Sequence, residues 1–231
     1  PMPWKGTLEF TKILDGFAVQ EDLVIDVGAP TPLEMRNLYG HDNASDRSIS
    51  FGMSNQGSAS TMGFEFVGKN VLIVYGIDRD ERGTSVNRSR VEFTKDTYSF
   101  RYEGCRGAEK FFTEVEGKFK RGGGDVTAKA AKAAFIETKA CPEAAMLNKL
   151  AGAYVVKGSM IPAPGAPKVE ISGVETWTSL WDGHVAMATV VGESVPGAGA
   201  YHAVTYMVWS PEDGGYDCLG LSNMGEAGVS K

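Results

Sequence analysis

Three histidines, His41, His184 and His202, are the chain's obvious proton carriers, because an imidazole titrates close to neutrality. His202 leads an alternating run with Val204, Tyr206 and Val208. Side chains two apart on a strand share a face. If that face lines a barrel lumen, His202 and Tyr206 form a polar anchor able to move a proton, which makes them the candidate catalytic pair. His184 follows an Asp-Gly turn at the place where an earlier, similar turn has Phe17. An imidazole replacing an inward apolar residue is a candidate ligand contact. Trp177 and Trp181 both precede the same turn, and Phe10, Phe17, Phe64, Phe66, Tyr206 and Trp209 recur through the chain with nine methionines. In a barrel too wide to fill, such residues line an apolar cavity. Arg90 and Arg101 fall on adjacent strands near Arg88, Glu92 and Glu103. Inside a barrel an arginine's forked donors suit a ligand carboxylate. Outside, such residues form cross-strand ion pairs that contribute little. His41, beside Asp42 and Asp46, reads as a surface-loop histidine.

Other chemistries find no support. There is no Gly-x-Ser-x-Gly elbow, and Gly122-Gly123-Gly124 lacks the spacing and lysine of a phosphate loop. Cys105, Cys141 and Cys218 are odd in number and match neither a zinc knuckle nor a CxxC pair. No metal and no cofactor is therefore expected, and three thiols suggest a reducing compartment. The net charge of −6, with no basic face, argues against a nucleic-acid partner. No apolar run approaches the roughly 18 residues of a membrane span. A soluble cytoplasmic protein is the expectation.

The elements that must position these residues are strands. The 231 residues include 29 glycines and 10 prolines, a composition that suits many turns between short strands. Thr7–Ile13 and Phe17–Ile25 flank Asp15-Gly16, a strong hairpin signal. Strands are expected at 34–39, 48–53, 62–67, 71–75, 90–93, 98–102 and 111–119. Val91 and Phe93, then Tyr98, Phe100 and Tyr102, alternate as on a half-buried sheet. After the triple glycine, residues 125–150 are rich in alanine and lysine and contain no glycine. Asp125 is an expected N-cap for a helix over Ala128–Thr138, and Pro142 opens a second helix to Leu150. Strands then resume at 153–159, 168–180, 184–191, 201–209 and 216–221. The expected organisation is a first β-barrel repeat over 1–122, a helical linker over 123–150, and a shorter β repeat over 151–231.

The two β regions resemble each other. Gly6 to Phe17 aligns with Gly173 to His184 at an offset of 167, the Asp-Gly turns coinciding. Phe51-Gly52-Met53-Ser54-Asn55 aligns with Leu219-Gly220-Leu221-Ser222-Asn223 at an offset of 168. Shared turn chemistry and a shared inward face indicate an internal duplication. Neither copy is a complete closed unit, and open sheets expose edges that proteins close or cover. Three completions are open: the strand after Leu150 joins the first barrel, a homodimer pairs the open sheets, or the chain is part of a longer tandem protein.

Leu150-Ala151-Gly152-Ala153-Tyr154 with Gly158, then Trp177, Asp182-Gly183, Tyr206 and the Ser210-to-Tyr216 turn resemble the bacterial lipocalin-like family of unknown function called DUF1579. Gly6 to about Gly104 is similar to the same family without its opening strand. The resemblance implies an antiparallel up-and-down β-barrel with a central cavity, and no particular activity. The expected function is binding of a small apolar or aromatic molecule in that cavity. The alternatives are a cofactor-independent enzyme (an isomerase or cyclase, a lyase or a hydrolase) using acid–base residues in the barrel, and a structural or assembly protein.

Overall fold

The alternating segments do form strands, and they build two antiparallel sheets. A computed structural model describes residues 2–26, 28–80, 83–107, 110–121, 128–130, 140–161, 165, 167–195, 199–210 and 213–230. The first sheet holds β1 (Met2–Pro3), β2 (Lys5–Ile13), β3 (Ala18–Asp26), β4 (Leu33–Asp42), β5 (Arg47–Ser54), β6 (Ala59–Gly68), β7 (Val71–Asp80), β8 (Gly83–Phe93), β9 (Thr97–Cys105), β10 (Phe112–Lys120) and β11 (Ala128–Ala130). β2 to β10 run up and down as nearest neighbours, while β11 joins β10 to β1. β1 and β2 are separated by Trp4 alone, yet they sit at opposite edges of this order. The chain's first strand thus brings both edges together, and the sheet curls into a nearly closed barrel.

Trp4 seals that seam. Its indole Nε1 donates to the Glu116 carbonyl at 3.2 Å, and its ring packs against Phe119 and Phe100 at 5.7 and 6.4 Å between centroids. Leu23, Ile25, Leu33 and Val115 complete the barrel core around it.

The second sheet is an open meander: β12 (Gly152–Met160), β13 (Val169–Leu180), β14 (Val185–Val195), β15 (Gly199–Ser210), β16 (Gly215–Ser222) and β17 (Ala227–Ser230). A short helix, α1 (Pro142–Met146), and a 3-10 turn over Leu147–Leu150 contact β13, β14 and β15. Cys141 caps α1 by accepting from the Ala144 amide, and proline sits at its first position, as the sequence predicts. The Ser179 hydroxyl bonds Asn148, and the Tyr216 hydroxyl donates to the Glu143 carbonyl at 2.8 Å.

The sheets pack with the outer wall of the barrel against one face of the meander. Ala18, Leu38, Phe51 and Met53 meet Val185, Tyr206, Leu219 and Leu221. β5 is buried on both faces from Ser50 to Ser54. Its apolar residues, Phe51 and Met53, point out to the second sheet, so Ser50, Gly52 and Ser54 point into the barrel.

One expectation is corrected, and one of the three open completions is closed. Ala128–Ala130 is not the start of a helix but a strand paired with both β10 and β1. Alanine favours helix, yet edge backbone groups on β10 need partners, and that tertiary demand overrides a weak local preference. Asp125 and the remainder of that expected helix, residues 131–138, lie outside the described residues. The barrel sheet therefore runs past residue 122. The strand after Leu150 does not complete the barrel either, because among the described residues β12 pairs with β13 alone.

The Asp-Gly corners follow one backbone path. Leu14, Asp15 and Gly16 have φ of 52°, 57° and 93°, and Trp181, Asp182 and Gly183 have 50°, 53° and 100°. Three consecutive left-handed residues are costly without glycine, and each corner ends on one.

Candidate functional site

The barrel interior carries the site. Inward positions on β3 are Glu21, Leu23 and Ile25, and on β4 they are Leu33, Met35, Asn37 and Tyr39. Together with β5 to β10 they line a partly open cavity of about 110 Å³. An apolar cavity of about 150 Å³ can hold benzene, so this space suits several waters or one compact organic molecule. One part of the wall is apolar, formed by Leu23, Ile25, Met35, Met62, Val91 and Phe100. Another part carries Ser54, Gln56, Ser58 and Ser60 around the β5–β6 turn. Gly52 leaves room for the polar side chains there, since a Cβ on it would sit 2.4 Å from the Ser60 hydroxyl and 2.7 Å from the Asn37 side-chain Oδ1.

Glu21 is the distinctive group. It is 4% exposed, and the Tyr39 hydroxyl donates to its Oε2 at 2.5 Å. Asn37, its direct cross-strand partner, supplies a second side-chain hydrogen bond. Burial pushes the Glu21 carboxyl up to about 7, against the pull of those two hydrogen bonds and with a small push from Asp22. Burial and the nearby Glu21 charge also hold the Tyr39 and Tyr98 hydroxyls well above the usual phenol range. A carboxyl titrating near neutrality beside a phenol, on the wall of a partly open space, can give a proton to a bound molecule or take one from it.

This arrangement makes stability depend on pH. The folded-state value of Glu21 lies above its unfolded value of 4.5. Between them the native state holds more protons than the unfolded chain, so stability falls as pH rises. The contribution is fully present below about 4.5 and lost as pH passes about 7. The difference corresponds to about 3 kcal/mol. Glu21→Gln is expected to flatten the urea-unfolding free energy between pH 5 and 8. An unchanged slope would place the proton elsewhere.

A second buried polar group stands apart. Asn87, on β8, is 1% exposed, and neither atom of its side-chain amide has a hydrogen-bond partner among the described residues. Its cross-strand neighbours are Gly76 and Gly104, which offer no side chain. An orphaned buried amide is destabilising, whereas an apolar group of similar shape is not. Asn87→Leu is expected to raise stability by about 1–2 kcal/mol, read as a higher urea midpoint at constant slope. A loss of stability would show that the amide is satisfied.

None of the seven residues singled out from the sequence lines this cavity. Arg90 and Arg101 face each other on the outer wall, 57% and 61% exposed at their side chains, and pair with Glu92 at 2.8 Å and Glu116 at 3.3 Å. Tyr206 is buried between the sheets, where Arg36 of the outer wall shares a side-chain hydrogen bond with it. Trp177 lies on the face of β13 that carries Ser179, towards the 3-10 turn. His184 is buried against the β5–β6 turn, its Nδ1 2.9 Å from where a Cβ on Gly57 would be.

His202 and Trp181 belong to a pair of clasps. Asn223 bonds the His202 backbone and the Ala200 carbonyl, and the His202 ring nitrogen Nδ1 lies 3.1 Å from Asp15 at the barrel's corner. Asn55 likewise bonds the Glu34 backbone and the Pro32 carbonyl, and Glu34 accepts from Trp181 Nε1 at 2.9 Å at the other corner. Each sheet thus holds the other's Asp-Gly corner. The face shared by residues 202, 204, 206 and 208 is real, but it meets the barrel's outer wall rather than a lumen.

The histidines and tryptophans of the sequence do not point to Glu21, Asn37 and Tyr39, while alternation places Tyr98 on a buried face without giving it a role. A signal existed: Glu21 shares parity with Leu23 and Ile25, so it is a charge on the apolar face of a strand. Among the described residues no three metal-ligating side chains converge, and no helix is long and apolar enough to cross a membrane. Fold and site define a mainly antiparallel β protein whose barrel-like sheet lines a partly open cavity with a buried carboxyl. Compared with family models, curated proteins and solved structures, the chain matches none.

Proposed function

We propose that this protein binds a small, largely apolar molecule inside its barrel. The observation that carries the reading is the partly open space inside the barrel, walled by aliphatic and aromatic side chains with a few polar groups at fixed positions. The lining has the character of a small-molecule site, mostly apolar with a few placed polar groups, on a scale that suits only a very small ligand. Its test is mass spectrometry of small molecules released on denaturing protein purified under native conditions. One compound recovered in stoichiometric amount supports the reading. A protein that releases nothing, and whose melting temperature no compact ligand raises, counts against it.

We also read the two sheets as diverged copies of one lipocalin-like unit. The matched corner conformations and the matched Asn55 and Asn223 hydrogen bonds support that. An enzymatic reading, in which the barrel turns over its ligand without a cofactor, draws on the Glu21–Tyr39 hydrogen bond. Loss of turnover with retained affinity in Glu21→Gln would favour it. A pairing role draws on β12, a nine-residue edge strand with Val155 75% exposed. A monomer by sedimentation at high concentration would count against a homodimer formed there.

A further inference from the structure

The charges of the cavity wall are one-sided. Around the buried Glu21, its described lining carries no lysine, arginine or histidine. The neighbouring carboxylate on β3 shows the contrast. Asp22, on the outer face, is neutralised by Arg36 at 2.6 Å. Glu21, on the inner face, is met by a phenol and an amide, both uncharged. No described cationic side chain reaches it. A buried carboxylate without a counter-charge is costly, and a cation that enters the site removes that cost. Tyr39, Tyr98, Phe100 and Tyr102 line the same space, and the faces of such rings attract cations. Tyr39 and Asn37 already aim hydrogen bonds at Glu21, an arrangement that favours its ionised form once a counter-ion is present.

We propose that the cavity is a receptor for a compact organic cation, an amine on a small branched apolar body with at most about six heavy atoms in all, held by the Glu21 carboxylate. The proposal rests on the reading that the barrel cavity binds a small molecule. The ammonium group lies against Glu21 and the aromatic rings, and the apolar body fills the space between Ile25, Met35 and Met62. A ligand carboxylate is repelled by the wall, and a neutral ligand leaves the Glu21 charge uncompensated. On binding, a protonated Glu21 releases its proton to solvent, so the complex is one carboxylate and one ammonium.

The test uses the full chain and three matched ligands in titration calorimetry at pH 8: 3-methylbutylamine, 3-methylbutan-1-ol and 3-methylbutanoate. The amine is expected to bind at least about tenfold more tightly than the alcohol, and the carboxylate more weakly than either. Glu21→Gln should abolish the preference, bringing the amine down to the level at which the same variant binds the alcohol. With a carboxyl near 7, lowering the pH from 8 to 6 should weaken amine binding about tenfold. At pH 6, where the carboxyl is mostly protonated, amine binding should release close to one proton, and at pH 8 almost none; this is measured in wild-type protein in two buffers of different ionisation enthalpy and does not depend on the variant folding. Equal or better binding of the alcohol, or an amine preference that survives Glu21→Gln, overturns the cation proposal while leaving the cavity reading in place. Binding of none of the three also overturns it, and recovery of a native compound then decides the cavity reading separately.

Discussion

Trp4→Ala is expected to lower stability by about 3–5 kcal/mol, the usual cost of removing a buried indole. Trp4 is 4% exposed and stands where β1 passes into β2, the point at which the edges of the barrel sheet meet. The substitution removes the bond to the Glu116 carbonyl and the packing on Phe100 and Phe119 together. β2 pairs with β3 and has no ladder with β10 among the described residues, so backbone hydrogen bonds do not hold this seam along its length. Denaturant unfolding gives the magnitude. Phe100 and Val115 touch both Trp4 and the cavity, so ligand binding should weaken as well. Trp4→Phe, which keeps most of the ring and loses the hydrogen bond, should cost about 1–3 kcal/mol. A loss below about 1 kcal/mol for the alanine variant would mean that the barrel closes without the indole.

Phe51→Ala should cost a similar amount, about 3–5 kcal/mol, for a different reason. Phe51 is fully buried in the layer between the sheets, beside Leu38, Tyr206 and Leu219. The cavity left by its ring cannot be filled from one side without moving the other sheet, because each Asp-Gly corner is clasped by the opposite sheet. Hydrogen exchange should accelerate in β14 to β16 more than in β8 to β10. Uniform acceleration would show that the two sheets unfold as one unit. The ligand site lies on the other face of β5, so binding at native conditions should change less than in Trp4→Ala.

These two experiments separate the roles of the layers. The barrel supplies the partly open space and its buried carboxyl. The second sheet covers the barrel's outer wall at β3, β4 and β5 and takes up the apolar residues of that wall. β5 shows the division within one strand: phenylalanine and methionine face the other sheet, and serine and glycine face the cavity. A barrel that stood alone would be expected to carry the opposite pattern. The polar lining is thus a consequence of having a second sheet to bury the apolar side, and it leaves room for hydrogen-bonding groups around Glu21.

The sequence by itself determined what depends on near neighbours. Strand positions follow from alternation, the hairpins from Asp-Gly chemistry, and the helix at 142–146 from a proline at its start. The matching of Asp15-Gly16 with Asp182-Gly183 was legible for the same reason, since a left-handed corner has few sequence solutions. The tertiary structure decided which way each face looks. Parity groups His202 with Tyr206 and Glu21 with Leu23, but it does not say which group meets a lumen and which meets another sheet. That depends on curvature and on what packs outside, and both come from contacts distant in sequence, such as Trp4 with Phe119 and Trp181 with Glu34. The same distance explains β11. Ala128–Ala130 carries no strand signal of its own and becomes a strand because β1 and β10 leave backbone groups there to be paired.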